Sequence, residues 1–245
     1  MEDYSEIISS WNIWGQMASY VLFGLAVLLL LGYLIKLSST SDPKTKFDFI
    51  NKVEINILWY VSLIIIISAA LYANTFLVKF SWLWIIVRIF ITVMVGIMAG
   101  VVLQNLLKFY YPFYIEKRLK KLRYMPRVSP KSGKPMKLLS EDEEDVYLDE
   151  GMQAEENVFS VDYDVWVDEE TGYTKIEKYS GHLHAENCPE CNYQTLRVSR
   201  EEIIKEPTHE HEGELQKYYD CGYCGYKLKK TVNVARLRDG AAATA

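Results

Sequence analysis

Hydrophobic positions in this chain fall into two regimes that change over near residue 108. Before it, Met17 to Ile35, Ile55 to Phe76 and Trp82 to Leu107 run almost without charge, Arg88 in the third being the exception. A hydrocarbon layer of about 30 Å takes about 20 helical residues to cross, and each stretch is close to that length or longer. Lipid leaves no backbone polar group unpaired, so each stretch predicts a transmembrane helix. After residue 108 the apolar positions alternate instead. Val161 to Val167, Tyr173 to Tyr179, Gln194 to Val198 and Lys227 to Val232 carry the period of two that predicts strands.

The expected fold class is therefore α+β, with three transmembrane helices followed by a β module. The predicted segments are an outer N-terminus (1–10), a first span (11–37), a connecting loop (38–54), a second span (55–78) and a third (82–107). A basic juxtamembrane segment (108–127), two β modules (128–180 and 181–236) and a disordered tail (237–245) follow.

Bulk composition hides this partition. Half of the 245 residues are hydrophobic and the net charge is only −5, values that an ordinary soluble protein would show. The lysines and arginines, however, sit on one side of the spans. Lys108, Lys117, Arg118, Lys120, Lys121, Arg123, Arg127, Lys131, Lys134 and Lys137 follow the third span, and Lys36, Lys44, Lys46 and Lys52 occupy the first loop. The other side has Lys79 and an acidic N-terminus that does not suit a cleaved signal peptide. This bias predicts a multi-pass inner (plasma) membrane protein with its N-terminus outside and its β modules in the cytoplasm. Trp11, Trp14, Trp82 and Trp84 are placed for an outer aromatic belt, and the run Phe109 to Tyr114 for an inner one.

The only cysteines are Cys188, Cys191, Cys221 and Cys224, two Cys-x-x-Cys pairs. A tight turn lets two thiolates three residues apart bind one Zn²⁺, and two such turns complete a tetrahedral S₄ shell. The residue after each second cysteine must tolerate positive φ, and Asn192 and Gly225 stand there. The expected cofactor is one structural zinc on these four residues, in a zinc ribbon. A thioredoxin-like redox pair is the second reading, although each pair leads into strand-like alternation where that motif needs a helix. Disulfides are the third, and they need an oxidising compartment. The long gap between Cys191 and Cys221 reads as a hairpin with Pro207, His209, His211 and Gly213 at its tip. His182 and His184 precede the ribbon, but four cysteines already fill the shell.

Ser129-Pro130-Lys131-Ser132-Gly133 has the shape of Cys188-Pro189-Glu190-Cys191-Asn192, and Asp168 to Tyr173 that of Cys221 to Tyr226. The module 128–180 thus reads as a duplicate ribbon whose ligands have become polar residues, the alternative being an unrelated β-rich linker. The runs from Pro130 to Leu148, Ser160 to Trp166 and Cys188 to Leu196 resemble the paired zinc-ribbon tail of TPM-domain membrane proteins. The resemblance covers about residues 126 to 236. It implies a cytoplasmic β module on a membrane anchor. With the first ribbon's cysteines absent, it implies one metal site. No TPM domain accompanies it, so the activity of such domains is not implied.

Fourteen acidic residues lie between Glu141 and Glu170. They lack the order of an EF-hand loop and read as a solvated linker whose field argues against nucleic acid. Lys227, Lys229, Lys230, Arg236 and Arg238 are the counter-indication. Arg88 reads as snorkelling or pairing with a neighbouring helix, the alternative being a transport role. Glu54 and Asn56 read as interfacial. Gly96 and Gly100 allow close packing against Gly24 and Gly32 of the first span, or homo-oligomerisation. The segment Glu116 to Arg123 should attract membrane lipids.

No nucleophile–base pair, phosphate loop or open metal site is present. The expected function is non-enzymatic: a membrane-anchored accessory or scaffold protein whose ribbon module binds a protein partner. A channel or transporter subunit and a thiol redox sensor are the alternatives.

Overall fold

The computed structural model describes residues 2–76 and 81–237. Lys79, Arg238 and the rest of the proposed tail from residue 238 lie outside the described residues, as do the side chains of residues 2–5 and of Trp82. The chain divides into two compact units, Met1–Met125 and Pro126–Ala245.

The first unit is helical: α1 (Glu2–Ser39), α2 (Pro43–Ala73), α3 (Trp82–Asn105) and α4 (Tyr111–Arg123). Glu6–Ser39, Pro43–Ala73 and Leu83–Arg123 are long and apolar enough to cross a membrane. A π-helical turn, Leu106–Tyr110, joins α3 to α4. Pro112 has no N–H to give and would crowd the carbonyl four residues back, and the wider turn accommodates it. The chain thus passes Pro112 through a change of helical register.

The segment 38–54 is mostly helix where a loop was expected. Asp42 caps α2 by accepting the Thr45 N–H at 2.8 Å, and Pro43 occupies its first turn. The first turns of α2 bury Ile50 against Ile115 and Leu119 of α4, with Phe47 and Ile55 packed around them. The basic α4 is thus amphipathic, with an apolar stripe that packs inside the unit.

Helices α1 and α2 form an antiparallel hairpin. Ser19 and Ser68 each donate to the other's backbone carbonyl at 2.9 Å, and the Trp11 indole donates to Asn74 O at 3.1 Å. Helix α3 lies on α2. A Cβ on Gly96 would sit 3.4 Å from Ile66 of α2, whereas Gly24 and Gly32 of α1 face open space. The expected contact of the glycine motif with the first span is therefore replaced by one with the second.

The second unit contains two three-stranded antiparallel sheets of the same order. In the first, β1 (Lys137–Leu138), β2 (Val161–Val167) and β3 (Thr174–Ser180) pair in sequence, and β4 (Leu196–Lys205), β5 (Gly213–Cys221) and β6 (Lys227–Val234) repeat the arrangement. The links differ. A bare tip joins β4 to β5, closed by Thr208 N–H to His211 O at 3.0 Å. Between β1 and β2 the chain makes two short helices, α5 (Glu141–Glu144) and α6 (Glu150–Asn157).

The acidic block is therefore not a solvated linker. Val161, Tyr163, Val165 and Leu148 form a core from it, and Glu144, Glu155, Asp164 and Asp168 are themselves buried. Each buried carboxylate shown below has a donor, which is what such burial requires. Arg127, counted above among the basic residues after the third span, is also buried. Its guanidinium forks onto Glu177 at 2.6 and 2.9 Å, and stacks over Trp166 at 4.7 Å.

Candidate metal centre

Cys188 and Cys221 each open a five-residue turn just before a strand. Cys188 N–H donates to Tyr193 O at 2.9 Å and Asn192 N–H returns to Cys188 O at 2.9 Å, while Cys221 N–H donates to Tyr226 O at 2.8 Å. Closing such a turn puts its fifth residue in the left-handed region, where Asn192 has φ 63° and Gly225 has φ 73°. The pairing of β4 with β5 sets Leu196 beside Cys221, so both turns emerge at one end of the sheet.

The four sulfurs lie within 4.8 Å of one another, a cluster that could hold one metal ion. Cys188 and Cys224 are 3.6 Å apart and Cys191 and Cys221 3.7 Å. Cys188 and Cys221 are buried, and Cys224 is exposed. Burial alone would raise the Cys221 thiol. The Thr195 hydroxyl at 3.0 Å and the N–H groups of Cys224 and Tyr223 overcome it and bring the thiol down to about 6. Cys224 goes the other way. Its Tyr226 N–H contact favours the thiolate, but burial and the three neighbouring thiols push it up to about 12. Four thiolates this close repel one another, and a cation at their centre removes that repulsion.

The same turn occurs twice more, where the sequence comparison placed the duplicate. Ser129 N–H donates to Lys134 O at 2.9 Å and Gly133 N–H to Ser129 O at 3.0 Å; Asp168 N–H donates to Tyr173 O at 2.8 Å and Gly172 N–H to Asp168 O at 2.8 Å. Gly133 and Gly172 take φ 70° and 65°, the positions of Asn192 and Gly225. At the ligand positions stand Ser129, Ser132, Asp168 and Thr171, and they converge. The Asp168 carboxylate accepts from the Thr171 hydroxyl at 2.5 Å and from the Glu170 N–H at 3.1 Å, and both serine hydroxyls also bond to it. The Thr171 hydroxyl first, and then Ser129, hold this carboxyl far below the usual range. Ser129 Oγ accepts the Lys131 and Ser132 N–H groups at 3.2 and 3.4 Å, much as Cys221 Sγ accepts the Cys224 N–H at 3.4 Å. One anion ringed by hydroxyl and amide donors does here what a metal ion ringed by thiolates would do in the other sheet.

His182 and His184 are not in the sulfur cluster, nor are His209 and His211 at the hairpin tip. Thr195 and Glu155 are functional neighbours that spacing did not reveal. Glu155 of α6 accepts the Gln194 N–H three residues after Cys191, and a Cβ on Gly151 of the same helix would run into the Tyr193 ring. Tyr193 and Tyr223, one beside each cysteine turn, meet edge to face at 5.3 Å.

Two polar groups of the helical unit are also tied down. Arg88 donates to Phe76 O at 2.8 Å and Ala73 O at 2.5 Å, capping the carbonyl end of α2. Glu54 is buried and accepts from the Tyr33 hydroxyl, from Tyr111 at 2.6 Å and from Arg118 at 3.0 Å. It fastens α1 and α4 to α2. No protein-family model, curated protein or solved structure matches this chain.

Proposed function

We propose that this chain is a membrane-anchored docking protein without catalytic activity, in which three spans hold a cytoplasmic pair of ribbon modules. The second module carries one structural Zn²⁺ on Cys188, Cys191, Cys221 and Cys224. A tetrahedral ion with Zn–S bonds of about 2.3 Å has sulfur–sulfur edges of about 3.8 Å, close to the separations of this cluster. A closed S₄ shell leaves no position for water or substrate, so its contribution is to the folding of the sheet. The resemblance to the ribbon tails of TPM-domain membrane proteins points the same way.

The observation that carries the docking reading is an apolar row on the sheet that the zinc would hold. The register sets Ile203, Leu215 and Val232 side by side across β4, β5 and β6 on one face. Ile203 is 60% exposed and Val232 42%, at the end of the sheet away from the cysteines. The opposite face sets Arg200, Tyr218 and Lys229 side by side and is polar. A polar sheet with one exposed apolar row is suited to an apolar patch or strand of another protein.

A photo-crosslinking residue at Ile203 should capture a discrete protein in native membranes, whereas one at Arg197 on the other face should not. Ile203→Asp should abolish the biological activity of the full chain with metal content unchanged. Activity that survives Ile203→Asp, or equal capture from both faces, would sink the reading.

A further inference from the structure

A groove of about 710 Å³ runs between α1 and α2 along the hairpin. Its chemistry changes along its length. Leu28, Leu29 and Ile57 line the deeper part, and Lys36 and Lys52 stand towards the turn that joins the helices. Leu28 and Lys36 are eight residues apart in one helix, a rise of about 12 Å. Between them the groove passes Gly32, where a Cβ would meet nothing within 4 Å.

The charges at the polar end do not cancel. Asp48 also lines the groove, but Lys44 one turn away holds it at 2.5 Å. Lys36 rests over the Phe49 ring at 4.9 Å, and that ring stacks on Tyr33 at 5.6 Å. Among the described residues neither Lys36 nor Lys52 belongs to an ion pair. Two lysines outside any ion pair thus stand at the mouth of an apolar groove, in a segment of membrane-spanning length.

We propose that this groove binds one anionic glycerophospholipid, with its phosphate between Lys36 and Lys52 and an acyl chain along Leu28, Leu29 and Ile57. The proposal rests on the membrane reading of the helices. A basic pocket between helices at the membrane surface recognises an anionic headgroup by charge, and the apolar channel distinguishes a lipid from a free phosphate. A zwitterionic headgroup would bring its own ammonium against the lysines. A second copy packed through the same groove would bring the same two lysines against these.

The full chain, extracted in mild detergent and offered equal amounts of phosphatidylglycerol and phosphatidylcholine with identical acyl chains, is examined by native mass spectrometry. One phosphatidylglycerol should be retained in preference. Lys36→Ala with Lys52→Ala should reduce that preference about 30-fold, the effect of two surface charges on an anionic lipid, and arginine at both positions should restore it. Gly32→Leu, whose Cβ would meet nothing within 4 Å and whose longer side chain would occupy the groove, should block retention with both lysines in place. Lys117→Ala with Lys121→Ala in α4 should change little. Equal retention of the two lipids, or equal loss in the α4 variant, would overturn the site. So would displacement by millimolar inorganic phosphate, or a Gly32→Leu variant that loses a dimer instead of a lipid. A chain that stays in solution without detergent would instead overturn the membrane reading, and this sedimentation control is run first.

Discussion

The buried Glu155 carboxylate of α6 accepts the backbone N–H of Gln194 at 2.5 Å, which fastens the acidic insertion of the first sheet to the first cysteine turn of the second. The same carboxylate takes the Tyr163 hydroxyl of β2 and the Lys178 ammonium of β3 at 2.8 Å. Ser160 completes the seam by donating to Gln194 O at 2.5 Å. Glu155→Ala would leave a backbone N–H and a hydroxyl buried without an acceptor. We expect it to cost about 3 kcal/mol and to weaken metal affinity about tenfold, since groups behind the ligands set their orientation. Chelator competition against the wild type measures the second effect. An unchanged affinity would mean that the two sheets are energetically independent.

Elemental analysis of the purified chain should return about one Zn per chain, because only one of the two turn pairs supplies thiolates. Chelation should unfold β4 to β6 and leave β1 to β3 protected from hydrogen exchange, since the first sheet closes its turns on the Asp168 carboxylate. Cys221→Ser should reproduce that pattern. Replacing Ser129, Ser132, Asp168 and Thr171 by cysteine should raise the metal content to about two. A native content near two would contradict the substitution of hydrogen bonds for metal, and one near zero would favour thiol redox chemistry.

Glu144 should make the second unit less stable as pH rises. Burial pushes its carboxyl up to about 7, the charges of Glu156, Asp164 and Asp162 add to the shift, and the Val165 N–H only partly opposes it. A group raised in the folded state stabilises fully below its unfolded value of 4.5, and that contribution fades as pH climbs through about 7. The loss is on the order of 2–3 kcal/mol. Glu155 and Glu177 are held low by their donors despite burial, and they act in the opposite sense, losing their contribution only in acid. Pulse proteolysis in urea at about pH 5 and about pH 8 should show the decline, and Glu144→Gln should remove it. A decline that persists in Glu144→Gln would assign it elsewhere.

Arg88→Gln should loosen the end of α2 without abolishing activity, because the guanidinium caps two backbone carbonyls. The cost expected is about 1–3 kcal/mol, as for charged hydrogen bonds generally. Deleting residues 126–236 should abolish activity while the spans still insert. A transport subunit predicts the reverse ranking in the same assay.

By itself the sequence determined those features that depend on spacing along the chain. Three long apolar runs can satisfy their backbones in lipid only as helices, and alternation after residue 108 marks strands. Two Cys-x-x-Cys turns with Asn192 and Gly225 behind them already hold the geometry of a four-sulfur cluster. Even the substituted turns at Ser129 and Asp168 were legible, because Gly133 and Gly172 keep the positions that need positive φ. What only the tertiary structure decided concerns charge. A run of acids has the same composition whether it is solvated or folded, and only packing shows Glu155 and Glu144 buried with their donors. In the sequence Arg127 is one basic residue among many, Glu54 reads as interfacial and Arg88 as snorkelling or pairing with a neighbouring helix. Only the fold brings their partners (Glu177, Arg118, Ala73) within hydrogen-bond reach. The apolar row of Ile203, Leu215 and Val232 belongs to three strands, and register alone brings it together. Local pattern records what one segment can do, whereas the partners of a charge are chosen by the folding of the whole unit.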